Sequence, residues 1–68
     1  MPTEEEISSV KRMIIEYSQR EGKIVPIEEI ERLASFEGID SSKVAKAIDE
    51  LISRGIATRL NESTIQVN

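Results

Sequence analysis

The sequence predicts a small, mainly helical α+β domain, and three observations predict it. Three runs with apolar residues at helical spacing each stop near a lone glycine: Gly22, Gly38 and Gly55. After the last glycine come two short runs, residues 56–60 and 64–67, rich in β-branched side chains. Asn61-Glu62-Ser63 separates them, and a loop of that length and composition closes a hairpin.

The first helix is expected over about residues 3–21. Thr3 and Glu6 fit a capping box, in which each side chain takes the free N–H of the other residue. Glu4, Glu5 and Glu6 suit the positive end of the helix dipole. Ile7, Val10, Ile14 and Tyr17 share one face, with Met13 beside them, while Ile15 falls off it. Gly22 is placed to supply the C-terminal turn. Lys23-Ile24-Val25 precedes a proline, which drives it towards extended backbone. A short strand there can pair with the later hairpin, giving a three-stranded sheet.

The second helix is expected over about 26–37, with Pro26 at its first position. Ile27, Ile30, Leu33 and Ala34 form its buried stripe, and Gly38 stops it. Only Ile39 and Asp40 then separate it from a third helix, about 41–54. Asp40 caps that helix, and Ile39 and Val44 form a hydrophobic staple. Val44, Ala47, Ile48, Leu51 and Ile52 are its core positions. Beyond Gly55, Ile56 can fold back on Leu51. In the hairpin, about 56–67, Ile56, Thr58 and Leu60 alternate with Ala57 and Arg59, and Ile65 and Val67 share one face. Residues 1–2 and 68 are the expected loose ends. The order helix–strand–helix–helix–strand–strand, with a tight turn between the last two helices, is that of a winged helix-turn-helix.

Composition narrows the function. The chain has 68 residues, enough for one domain, which buries roughly 60% of its unfolded surface. It has no cysteine and no histidine, so disulfides and thiolate chemistry are excluded, and the commonest metal ligand and the commonest neutral-pH base are missing. No serine sits in a recognisable nucleophile context and no glycine-rich phosphate loop occurs. Neither a cofactor, a metal nor catalysis is expected. Glu28, Glu29, Glu31 and Glu37 read as a solvated helix face. No apolar run approaches the roughly 20 residues of a membrane span, and the acidic start lacks the pattern of a signal peptide, so an intracellular, soluble protein is expected.

Charge bears directly on nucleic acid. The net charge is −4, and it lies in residues 1–37, with nine acidic and five basic side chains; residues 38–68 carry four of each. In a helix-turn-helix the second helix of the pair enters the major groove. Its exposed face here offers Ser42, Lys43 and Lys46, and the wing adds Arg59 and Asn61; these five are the candidate DNA-contacting residues. Asp49 and Glu50 follow Lys46 by three and four residues, where they can pair with it and repel phosphate. Few cations offset by as many acids predict weak, salt-sensitive binding to duplex DNA. A second class of function, protein docking, would use Met13, Ile15 and Phe36 as an apolar contact surface.

Residues 25–59 resemble the C-terminal winged-helix domain of archaeal minichromosome maintenance helicases. The resemblance rests on the Val-Pro-Ile-Glu-Glu-Ile start of the second helix, the Glu-Gly-Ile-Asp turn, and a third helix ending in Arg-Gly-Ile. One departure is visible: the family's wing often carries Tyr-Glu-Pro after the glycine, where this chain has Ala57-Thr58-Arg59. The resemblance implies a non-catalytic regulatory domain of an ATP-driven DNA helicase, cytoplasmic in an archaeon and monomeric as an isolated domain. Its partners would be the helicase motor domain or replication factors, with weak or no DNA contact. The alternatives are a small archaeal DNA-binding transcription regulator, which would usually dimerise, and a protein-docking winged helix.

Overall fold

The computed structural model describes residues 2–68. The elements run α1 (Glu4–Glu21), β1 (Ile24–Pro26), α2 (Ile27–Ser35), α3 (Ser41–Ser53), β2 (Ala57–Arg59) and β3 (Thr64–Val67). This is the winged helix-turn-helix order. The three strands form one antiparallel sheet with β3 in the middle, β1-β3-β2, in which Val25 faces Ile65 and Arg59 faces Ile65 from the other side.

The helix ends follow from local chemistry. Thr3 closes the expected capping box: its hydroxyl accepts from the Glu6 amide and its own amide donates to Glu6 Oε1. Asp40 accepts from the Lys43 amide at the start of α3. At the end of α3, Gly55 has φ 79° and its N–H donates to the Ile52 carbonyl, while the Ile56 N–H reaches back to that of Leu51. That is the Schellman pattern, and it requires the left-handed backbone that glycine adopts without strain. Gly38, φ 76°, closes α2 the same way, with Ile39 N–H on the Ala34 carbonyl.

Four expectations need correction. Gly22 does end α1 at a positive φ of 113°, its N–H on the Ser18 carbonyl, but its ψ of 170° is not that of the left-handed helical turn, and the chain bends at Lys23 into β1. Pro26 is the last residue of β1, opposite Thr64, and caps α2 rather than starting it. The first free N–H of α2, that of Ile27, is taken by the Ser63 carbonyl of the wing. The regular helix ends at Ser35, and residues 36–38 wind on as a tighter turn with i to i−3 hydrogen bonds. Finally, Asn68 is not loose: its amide donates to the Ile56 carbonyl, its side-chain Nδ2 to that of Gly55, and its Oδ1 accepts from Thr58 Oγ1. Pro2 is half-buried, and Met1 lies outside the described residues.

One core joins the sheet to all three helices. Ile14, Ile30, Ile48, Leu51 and Ile65 are its largest fully buried side chains, with Val10, Val25 and Val44 between them. No polar or charged residue is buried among the described residues. The staple pair Ile39 and Val44 both enter this core. Ile27, Leu33, Ile52 and Tyr17 pack at its edge rather than inside it. On the outer face of the sheet Ile24, Gln66 and Thr58 form one cross-strand row, and all three are exposed.

Candidate nucleic-acid interface

Burying Val44, Ala47, Ile48 and Leu51 fixes the rotation of α3. The remaining positions must then face outwards, among them Ser42, Lys46, Asp49 and Ser53, all exposed. The hairpin places Arg59 beside the same face. Of the five sequence-predicted residues, Ser42, Lys43 and Lys46 lie on α3 and Arg59 is tied to it through Asp49, while Asn61 sits in the wing turn; four of the five are already engaged.

Ser42 Oγ donates to Asp40 Oδ1 at 2.7 Å, inside the cap of α3. Lys43 Nζ lies 3.2 Å from Glu6 Oε2 of α1. Arg59 Nη2 donates to Asp49 Oδ1 at 2.9 Å, tying β2 to α3. Asn61 Oδ1 accepts from the amide and hydroxyl of Ser63, at 2.8 and 3.0 Å, so its oxygen shapes the wing turn. Lys46 makes no ion pair among the described residues. It lines a shallow groove with Pro2, Glu4, Ile7, Asp49 and Glu50.

The expected pairing of Lys46 with Asp49 and Glu50 does not form. Asp49 turns to Arg59, and Glu50 turns to Arg54, one turn further along α3 at 3.3 Å. Arg54 also holds Glu4 of α1 at 2.7 Å. Sequence reasoning missed Arg54, Glu4 and Glu6 as parts of this surface. The Glu50–Arg54 pair is local, four residues apart, but Arg54–Glu4 and Lys43–Glu6 span 50 and 37 residues, so no local spacing signals those two.

That geometry sets the direction in which the carboxylates shift. The hydrogen bond from Arg54 lowers the pKa of Glu4 below the usual carboxylate value. The Thr3 amide, and then Lys43, do the same for Glu6. The Ser42 hydroxyl and the Lys43 amide lower that of Asp40. These shifts keep the carboxylates charged, the opposite of the upward shift that makes a carboxyl a general acid at neutral pH. Among the described residues no group of three or more Asp or Glu side chains is placed to hold a metal ion. No helix among them is long and apolar enough to cross a membrane.

The candidate docking residues fare differently from one another. Met13 is 4% exposed and belongs to the core, so it cannot meet a partner; with one Phe and one Tyr in the chain, methionine fills the space that larger side chains would take. Ile15 is half-buried. Phe36 is 78% exposed on the turn between α2 and α3, and Ile24 (58%) and Leu60 (44%) are the other large exposed apolar side chains among the described residues.

No family model, curated protein or solved structure matches the chain.

Proposed function

We propose that this chain is a non-catalytic winged-helix module that touches duplex DNA weakly, through the exposed side of α3 and the wing. In this reading it serves as a regulatory appendage of a replicative helicase of the minichromosome maintenance type. One observation carries the weak-contact half: of the cations of α3, its C-cap and the wing, Lys43, Arg54 and Arg59 each sit on a carboxylate, and Lys46 alone lacks one among the described residues. Specific binding draws much of its affinity from neutralising phosphates. A face with its cations already paired suits an auxiliary module better than a stand-alone repressor. The helicase half rests on the resemblance across residues 25–59. A protein-docking role has its own support in Phe36, whose exposure serves no packing purpose.

An amide-resolved NMR titration with a short duplex, at about 20 and about 150 mM salt, tests the reading, because phosphate-driven affinity falls steeply over that range. The expected result is that Ser42, Lys46 and the 59–64 wing shift together at low salt and recover at the higher salt. Shifts that persist undiminished at the higher salt would favour a transcription regulator. No shift at either salt would leave protein docking as the function.

A further inference from the structure

The first turn of α1 does something the core does not require. Glu4 and Glu6 are exposed or half-buried carboxylates on a helix whose packing face is Ile7, Val10, Met13 and Ile14. Both reach across to α3, Glu6 to Lys43 near its start and Glu4 to Arg54 at its C-cap. Those two cations are about 16 Å apart along the helix at 1.5 Å per residue. The first turn of α1 therefore straddles α3, and Pro2, Glu4 and Ile7 form one wall of the groove whose other wall is Lys46, Asp49 and Glu50. Glu5, between the two, makes no ion pair among the described residues.

We infer that Glu4 and Glu6 are an intramolecular competitor for DNA: their carboxylates occupy the positions on Lys43 and Arg54 that phosphate oxygens would take. The inference rests on the DNA-contact reading above and deepens it. Binding to a duplex becomes an exchange, in which each phosphate must displace a carboxylate that then needs its own counterion. Fewer ions are released overall, so affinity and its salt dependence both fall. An exposed ion pair of this kind shifts such a competition by about 1.5- to 5-fold. Two of them acting together lower the affinity by about 2- to 25-fold.

The test uses a fluorescein-labelled duplex of about 15 base pairs and anisotropy from about 20 to 150 mM salt, on three proteins: wild type, E4Q/E6Q and E5Q/E21Q. Both doubles change the net charge equally, but only the first frees Lys43 and Nη2 of Arg54, whose Nε stays on Glu50. Glutamine at position 6 still serves a capping box, and far-UV circular dichroism checks that both variants fold. The expected result is that E4Q/E6Q binds about 2- to 25-fold tighter than wild type, with a steeper salt dependence, while E5Q/E21Q changes less than about 2-fold. Binding by E4Q/E6Q where the wild type shows none supports the inference equally. If all three bind alike, the competition is absent although the DNA contact is real. If none binds at about 20 mM salt, the DNA-contact reading falls and the competition with it.

Discussion

The rotation of α3 decides which side chains can face a partner, so the strongest test of the architecture is a pair of neighbouring substitutions on that helix. Leu51 is fully buried and receives Ile56 where the chain folds back past Gly55, whereas Ile52 packs only at the core's edge. Leu51→Ala removes buried carbons and leaves a cavity, which costs about 2.7–5 kcal/mol at fully buried sites. Alanine does not weaken the helix, so little else enters the difference. A chain of 68 residues has a total stability of about 3–10 kcal/mol. With an unfolding entropy of about 2.1 cal/mol/K per residue, a loss of about 3.5 kcal/mol lowers Tm by about 20–25 °C. Ile52→Ala exposes less and is expected to cost about 1–2 kcal/mol. Ser53→Ala, on the exposed side, stays within about 0.5 kcal/mol of wild type. Thermal and urea melts followed at 222 nm measure all three, since the chain has no tryptophan. If Ile52→Ala cost as much as Leu51→Ala, α3 would be rotated from the orientation described, and the assignment of its outward face would fail with it.

Other outcomes follow from the same structure. Gly55→Ala meets no neighbouring atom yet sits at φ 79°, so it is expected to cost about 1–2 kcal/mol from backbone strain alone, and a D-alanine placed there by synthesis should melt higher than wild type. Acid should destabilise the protein through Glu4, Glu6, Glu29 and Asp40, whose pKa values are lowered in the fold. Their contribution is complete above the ordinary carboxylate values near about 4 and is lost as pH falls through the folded values, where the unfolded chain binds more protons; a urea midpoint that rose between pH 5 and pH 3 would contradict this. Phe36→Ser should leave stability within about 0.5 kcal/mol while removing the most exposed of the large apolar side chains among the described residues, so a melt shifted by many degrees would mean that Phe36 is packed after all.

Much of the fold was legible because local signals and the global arrangement agree. The Thr3–Glu6 box, the Asp40 cap and the Gly55–Ile56 reversal are short-range patterns, and each sits where the sequence places it. The start of α2 was misplaced because its first amide is satisfied by the Ser63 carbonyl, a tertiary bond that no local pattern encodes. The same reason explains the site. Local spacing offered Asp49 and Glu50 to Lys46, but the sheet brings Arg59 to Asp49, and Arg54, on the same helix, takes Glu50. The candidate residues were found because they must be exposed once the core face is known. Their neutralisation by Glu4, Glu6 and Asp49 was not, because it needs the packing of α1 and β2 against α3.

The central claim is that α3 and the wing form a DNA-facing surface whose cations are mostly occupied. The most direct measurement is the slope of log affinity against log salt for the wild-type chain on a short duplex. Each phosphate neutralised contributes about −0.9. With Lys46 as the cation lacking an ion pair among the described residues, the account predicts a slope between about −1 and −2. A slope of about −4 or steeper would mean that Lys43, Arg54 and Arg59 all reach phosphates, and would contradict it.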